Sequence, residues 1–280
     1  MASTSLLPSG LQAAEEYIAT LLAGSPNQSG YVNGTYAEAR FGRIRGLALG
    51  GFWGSYLFVT DAEAGTIRNV NWNRVSTLAG LPWIGYADGL GPVARFHEPA
   101  GLAADAQNVY VADSENHALR QVTPLANAYI GSSENQLCAV TTLAGAPWTP
   151  GHVDGIGALA QFHGPVALAR EAAGTLVVAD RQKSVIRRVL PSARYVTTVA
   201  GRPGQHGYAD GPASVAQFRS PSGVAVDGAG NIYVIETWSY AVRKITPDGY
   251  VTTLAGKADV QGSNSQDGKG SAARFYSPQA

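Results

Sequence analysis

The chain has 280 residues, with 20 basic and 20 acidic side chains and no formal net charge. This balance argues against nonspecific binding to nucleic acid or to anionic lipid, both of which need an excess of positive charge. Hydrophobic residues make up 45% of the chain and charged residues only 14%, which excludes a disordered chain and indicates a large core. The 34 glycines are spread along the whole sequence and predict many turns.

A single cysteine, Cys138, excludes an internal disulfide framework and a zinc site built on paired cysteines. The first ten residues lack a signal-peptide pattern, and no apolar run is long enough to predict a membrane segment. The compartment stays open, because the chain is also compatible with being a fragment of a secreted, extracellular protein. Asn27 and Asn33 begin N-glycosylation patterns, and the sequence leaves their use open.

Two landmarks recur with a period of roughly 56 residues, and such a period marks a repeat architecture. The first is the phrase VSTLAG and its variants, which end at Gly24, Gly80, Gly145, Gly201 and Gly256. The second is a phenylalanine after Ala-Arg or Ala-Gln, at Phe41, Phe96, Phe162, Phe218 and Phe275. One step is longer, and its extra residues within Leu125 to Ala139 predict a surface loop.

In chain order, the landmarks predict an N-terminal extension (1–18), units at 19–80, 81–145, 146–201 and 202–256, and a partial unit at 257–280. Each unit contains four short runs rich in β-branched and aromatic residues, bounded by turn formers. The fourth unit shows them at Gly223 to Asp227, Ile232 to Glu236, Ala241 to Thr246 and Val251 to Ala255. The predicted fold is therefore all-β: a β-propeller of four-stranded antiparallel blades, with four full blades and parts of a fifth.

The two ends of the repeat pattern predict an incomplete ring. Ala19 to Ala23 carries an outer-strand phrase without inner strands, and Lys257 to Ala280 supplies only a connector toward an inner strand. Unpaired strand edges are templates for pairing with other chains. We therefore expect a longer polypeptide, or a protein partner or neighbouring copy bound at these two ends.

Charged and phenylalanine positions repeat with the units, and repetition in every unit favours a structural role. An acidic residue and an arginine seven positions later span one predicted hairpin and are expected to pair at its base. These pairs are Asp61/Arg68, Asp113/Arg120, Asp180/Arg187 and Glu236/Arg243. The Asp-Gly pairs at Asp88, Asp154, Asp210 and Asp267, with Asn33-Gly34, predict turns. The repeated phenylalanines are expected to pack between neighbouring blades.

At these residues the chain resembles the NHL-repeat family. Gly85 to Thr123 is similar to one NHL repeat, and Asn116-His117-Ala118-Leu119 stands where the name-giving Asn-His-Leu is found. The resemblance extends over nearly the whole chain and implies a propeller. Propellers of this family have protein-binding, RNA-binding, lyase or lactonase activity, so the resemblance leaves the function open.

The connectors hold the candidate chemistry. His97 and His163 follow the repeated phenylalanine, where other units have Gly42, Arg219 and Tyr276. The resemblance implies that His97 and His163, with Arg219 and Tyr276, match the residue types of a histidine-bound zinc lyase site, although no third ligand is evident. The Asp-Gly loops offer too few oxygens for calcium. No cofactor is expected, and zinc or calcium is the alternative.

Aromatic residues in the same connectors are candidate binding residues, because exposed aromatic side chains on rigid loops anchor protein interfaces. The alternative is that they pack the long connectors locally. They are Tyr31, Trp83, Tyr86, Trp148 and Tyr208. The sequence favours a non-catalytic protein-interaction or structural module. One alternative is a lyase or hydrolase at the mouth of the central channel, and another is an RNA-binding propeller, for which the dispersed basic residues are unfavourable.

Overall fold

The computed structural model describes residues 18–50, 56–125, 138–257 and 265–279. The first sheet contains β1 (Gly34–Thr35), β2 (Ile44–Gly50), β3 (Tyr56–Asp61), β4 (Thr66–Asn71) and β5 (Arg74–Ala79). The second contains β6 (Gly89–Leu90), β7 (Pro99–Ala104), β8 (Val109–Asp113), β9 (Ala118–Pro124) and β10 (Cys138–Ala144). The third contains β11 (Gly155–Ile156), β12 (Pro165–Arg170), β13 (Leu176–Asp180), β14 (Val185–Leu190) and β15 (Tyr195–Ala200). The fourth contains β16 (Gly211–Pro212), β17 (Pro221–Val226), β18 (Ile232–Glu236), β19 (Ala241–Ile245) and β20 (Tyr250–Gly256).

The four sheets have one topology, with the order β1-β5-β4-β3-β2 in the first and its equivalent in the others. The inner strands β2, β7, β12 and β17 pack against one another in that order around a central axis. The predicted all-β propeller with four blades is confirmed. Each blade also has a two-residue fifth strand from its connector, which is too short to give a recognisable sequence pattern.

Helical structure among the described residues consists of three short 3-10 turns. They lie at Ser114–Asn116, Gly157–Leu159 and Gly270–Ala272. None of the helices in this part of the chain has the length and apolar character needed to cross a membrane.

The hydrophobic core lies between neighbouring blades. Ile67 of the first blade and Val111 of the second share one cluster with Phe96, and equivalent clusters contain Phe162 and Phe218. All three phenylalanines are fully buried. Each cluster draws side chains from two sheets, so one blade covers the apolar face of the next.

Two glycines allow the inner strands to approach closely. A Cβ atom on Gly46 would lie 2.4 Å from the Ala100 carbonyl oxygen, and one on Gly101 would lie 2.6 Å from Ala167 Cα. Any side chain at these positions would push neighbouring inner strands apart, so the glycines are needed for close blade packing.

The predicted outer strand at Ala19 to Ala23 is wrong, because these residues have irregular backbone. The phrase still forms its terminal turn: Gly24 has φ +100°, and its amide donates to the Tyr36 carbonyl at 2.8 Å. A strand needs a neighbouring strand for its hydrogen bonds, and no sheet of the described residues offers one here. Leu21 and Leu22 are consequently 66% and 55% exposed.

Strand β10 overlaps the insertion of the second unit. Cys138 and Ala139 were expected to lie in a surface loop, but both pair with β9, and Cys138 is fully buried. Burial of apolar surface in the core outweighs the loop-like composition around these two residues. Residues 126–137, the remainder of the predicted loop, lie outside the described residues.

Strand β2 presents an uncovered apolar face. Leu47 and Leu49 are 59% and 69% exposed, whereas Leu102 in the equivalent strand of the second blade is 6% exposed. The second blade lies between two packed neighbours, and the first packs through β2 on β7. The other side of β2 is therefore accessible.

Candidate functional site

A buried arginine holds each blade to the connector that precedes it. In the third blade, Arg187 Nη1 bonds Asp180 Oδ2 at 3.3 Å and the Gln161 carbonyl at 2.9 Å. Its Nη2 bonds Asp154 Oδ1 at 2.7 Å, and its guanidinium carbon lies 5.1 Å from the centre of the Phe162 ring. We call this arrangement the arginine clasp. The other blades repeat it around Arg68, Arg120 and Arg243.

The predicted pairing of an acidic residue with an arginine seven positions later is confirmed. The nitrogen–oxygen distances are 3.5 Å for Arg68–Asp61, 2.7 Å for Arg120–Asp113, 3.3 Å for Arg187–Asp180 and 2.8 Å for Arg243–Glu236. Both side chains of every pair are fully buried. Such pairs are costly to break, because the remaining charge is left in a medium of low dielectric constant.

The connector aspartates form the outer part of the clasp. Asp88 accepts hydrogen bonds from Arg120 and from both the backbone amide and the hydroxyl of Thr142. Asp154 and Asp210 repeat this pattern with Thr198 and Thr253. The structural role expected for the Asp-Gly pairs is correct, but these carboxylates tie the connector to the outer strand instead of capping a local turn. In the first unit Asn33 Oδ1 accepts from Arg68 and Thr77.

The buried carboxylates titrate abnormally. Burial raises the pKa of Glu236 to about 7 and that of Asp180 to about 6, although their arginine partners act in the opposite direction. Burial likewise raises the pKa of Asp113. The folded blades therefore favour the protonated acids more than the unfolded chain does.

We expect the free energy of unfolding to fall as the pH rises from about 4.5 to about 7, because the folded state then binds more protons at Glu236 than the unfolded state. Above about pH 7, the contribution of Glu236 to the free energy of unfolding no longer changes with pH. The Glu236→Gln variant removes this titration and should lose less stability over the same interval. Urea denaturation of both proteins at several pH values measures the difference, and parallel pH profiles would contradict the shifted pKa.

All long connectors reach the same end of the propeller. Residues 81–98, 146–164 and 202–220 lead into the inner strands there and bond to the turns between the second and third strands. For example, the Glu115 amide donates a hydrogen bond to the His97 carbonyl at 3.2 Å, and the Thr237 amide donates one to the Ser220 carbonyl at 3.2 Å. Residues 25–43 fill the same role for the first blade, with Ala62 N bonded to the Arg43 carbonyl. We call this end the connector face.

The position after the repeated phenylalanine contributes its backbone to the clasp. The amides of His97 and His163 each donate to the blade's buried aspartate at 2.8 Å. The amides of Gly42 and Arg219 do the same to Asp61 and Glu236. Because only the backbone is used, the side chain at this position is free to vary, and the sequence shows Gly, His, Arg and Tyr there.

The two candidate histidines each lie beside another aromatic ring. The His97 ring lies 6.4 Å from Trp148, and the His163 ring lies 5.2 Å from His117, measured between ring centres. Burial lowers the pKa of both His117 and His163, so these imidazoles are predominantly neutral at pH 7. Tyr276 is 63% exposed.

Within the described ranges, no three His, Cys, Asp or Glu side chains are arranged to hold a metal ion. Cys138 is remote from the connector histidines in the core cluster of the first two blades. Burial raises the pKa of its thiol to about 12, which keeps the sulfur protonated and poorly nucleophilic.

Most of the predicted aromatic binding residues are exposed on the connectors. Tyr31 is 59% exposed, Trp83 71%, Trp148 61% and Tyr208 50%. Tyr86 differs, because its ring packs 4.7 Å from the Arg120 guanidinium carbon and its hydroxyl lies 2.6 Å from Thr142 Oγ1. Tyr86 therefore belongs to the clasp of the second blade.

Sequence reasoning missed a cavity of about 450 Å³ on the propeller axis at the connector face. Arg43, Arg45 and Arg181 line it. The available signal was a break in the repeat: Arg45 occupies a position that is Ala100 or Val166 in other blades. The arginine at position 45 could be recognised as part of a site only after the structure showed which blades meet at the axis.

The NHL repeat family model matches residues 96–122, which extend from the repeated phenylalanine to the third strand of the second blade. The chain is 37% identical over 115 residues to NHL repeat-containing protein 2 of Bos taurus, covering 36% of this chain and 16% of that protein. It is 24% identical over 292 aligned residues to Protein SUPPRESSOR OF QUENCHING 1, chloroplastic, of Arabidopsis thaliana, covering 79% of this chain and 26% of that protein. The chain thus spans about a quarter or less of these relatives.

A solved structure of a Bacteroides thetaiotaomicron protein of unknown function superposes with a TM-score of 0.52 at 21% identity. The alignment covers 93% of this chain and 69% of that one, and this likeness concerns the fold. The chain is thus a four-bladed β-propeller that contains an NHL repeat at residues 96–122 and is similar to NHL repeat-containing proteins.

Proposed function

We propose that this propeller is a protein-interaction module whose main contact surface is the connector face. One observation carries the proposal: the connectors that form this face hold Tyr31, Trp83, Trp148 and Tyr208, and each of these side chains is half or more exposed. Large aromatic side chains lose unfavourable contact with water when a partner covers them, and tryptophan and tyrosine dominate the binding energy of many interfaces.

The loops that carry these side chains are held firmly. The Gly85 amide donates to the Phe96 carbonyl at 3.1 Å, Gly151 to Phe162 at 3.0 Å and Gly207 to Phe218 at 3.0 Å. These bonds connect each aromatic segment to the buried phenylalanine of its own connector. A surface fixed in advance loses little conformational entropy on binding, which favours affinity.

A second contact region lies at the edge of the first blade. Leu21 and Leu22 in the segment Ala19 to Ala23, together with Leu47 and Leu49 of β2, expose apolar side chains. We assign to this edge, and to the described part of Lys257 to Ala280, a contact with another protein or a neighbouring copy. The greater length of the relatives supports a module that works within a larger protein or assembly.

The test uses a matched pair of variants. Partners captured from producing cells are identified, purified and titrated against the wild type, the double variant Trp83→Ser/Trp148→Ser, and Trp72→Ser. Trp72 is 72% exposed in the β4–β5 turn at the opposite end of the blade. Loss of two central aromatic contacts should weaken binding by about 30-fold or more.

The control variant Trp72→Ser should bind like the wild type, because its turn is remote from the connector face. Equal affinities for all three proteins would refute the proposed surface. An equal loss of affinity in the double variant and in Trp72→Ser would show that removing tryptophan weakens binding through misfolding. Circular dichroism of each variant measures folding separately.

A further inference from the structure

We propose that the axial cavity at the connector face binds a small organic dianion, a dicarboxylate or a phosphate monoester, through Arg45 and Arg181. The cavity of about 450 Å³ lies within the size range of small-molecule sites. The inner strands contribute Ala100, Val166 and Ser222 to its wall. Small side chains from three blades thus leave an open space on the axis, and the arginines line this space.

The cavity carries excess positive charge. Glu98 pairs with Arg43, and its other oxygen lies 3.5 Å from Arg45 Nη2. Arg181 donates from Nε to Ser220 Oγ at 2.8 Å, and no carboxylate of the described residues lies within ion-pair distance of it. Three guanidinium groups therefore share one carboxylate, which leaves about two uncompensated charges.

Arg181 departs from the structural role of its repeat position. In the second blade Ser114 Oγ donates to the Pro165 carbonyl, and in the fourth Thr237 Oγ1 donates to the Pro278 carbonyl. The first bond joins the second blade to the start of β12, and the other joins the fourth blade to the C-terminal connector. Arg181 makes its bond to the Ser220 side chain instead and lines the cavity. The repeat gives no structural reason for an arginine here.

The two arginines repel each other in the unliganded protein. Burial, and then the charge of Arg45, lower the pKa of Arg181. An anion between the two groups would relieve this repulsion and receive bidentate hydrogen bonds, which guanidinium groups form with carboxylates and phosphates. Gln279, also in the cavity wall, adds an amide donor.

Glu98 sets the charge of the site. It holds a left-handed backbone with φ +52°, as do Gly164 and Ser220 at the equivalent positions, with φ +69° and +57°. Glycine fits this conformation with least strain, so the backbone does not require glutamate. Its carboxylate lowers the cavity charge, and its removal should strengthen binding of a dianion.

Titration calorimetry at fixed ionic strength tests the site with inorganic phosphate, succinate and acetate as probes. Saturable binding of phosphate or succinate, but not of acetate, is expected, and the stronger of the two identifies the ligand class. The Arg181→Gln variant should bind about tenfold or more weakly, because one charge-assisted contact is lost. Glu98→Gln should bind more tightly than the wild type.

Arg188→Gln is the control, since it removes one positive charge from the same blade at a residue paired with Glu171 away from the axis. Its affinity should equal that of the wild type. If Arg181→Gln does not fold, Arg45→Gln at the more exposed arginine replaces it. Absence of saturable dianion binding, or equal affinity in the Arg181, Arg45 and Arg188 variants, would overturn the proposal. These outcomes are independent of whether a protein partner binds the aromatic residues.

Discussion

Replacing Arg187 by alanine is expected to lower the free energy of unfolding by about 3–5 kcal/mol, because it leaves the buried Asp180 carboxyl group without its cation. Arg187 is fully buried and bonds Asp180, Asp154 and the Gln161 carbonyl. Its loss removes the connection between the connector, the middle strands and the outer strand of the third blade. Chemical denaturation monitored by tryptophan fluorescence measures the change.

The neighbouring residue provides the control. Arg188 lies on the opposite face of β14, where it pairs with Glu171 and is 39% exposed in its side chain. Arg188→Ala should cost about 1 kcal/mol or less, as for other solvent-screened pairs. Arg187→Lys keeps the charge but not the planar fork, so an intermediate loss is expected. Similar small losses for Arg187→Ala and Arg188→Ala would show that the clasp does not stabilise the blade.

Replacing Phe162 by alanine should cost about 3–5 kcal/mol, the range found when a buried aromatic ring is removed from a core. Phe162 is fully buried in the cluster shared by the second and third blades. A Cβ atom on Gly145 would lie 3.2 Å from its ring, so the ring packs directly on the end of the preceding blade. Its other face meets the Arg187 guanidinium.

Leu159 in the same connector is the matched control, because it is 76% exposed. Leu159→Ala should change stability by about 0.5 kcal/mol or less. Reversible urea unfolding of both variants measures the change in the free energy of unfolding. A loss below about 1 kcal/mol for Phe162→Ala would place the ring outside the energetic core, against the packing described above.

Features set by local spacing were predictable from the sequence. The hairpin between the second and third strands brings Asp180 and Arg187 together across seven residues, and the same spacing recurs in every unit. The repeated strand phrases and phenylalanines likewise mark one blade after another. Repetition amplifies such patterns, because each unit satisfies the same packing and hydrogen-bonding needs.

Long-range contacts changed the interpretation of the connectors. Asp88 looked like a turn former, and only the folded chain brings it to Thr142, 54 positions along the sequence. His97 and His163 share one repeat position in the sequence, and the structure adds the neighbours that the sequence did not show, Trp148 beside His97 and His117 beside His163. The loop conformations that select these neighbours depend on buried bonds to the blades.

The sequence by itself determined the repeat, the strand content and the acid–arginine pairs, because each depends on residues close together in the chain. Tertiary structure alone decided that Ala19 to Ala23 is not a strand, since strand hydrogen bonds need a neighbouring sheet edge. It also decided that Arg45 and Arg181 meet at one cavity. These arginines come from different blades, and only the radial packing of inner strands around a common axis brings them together.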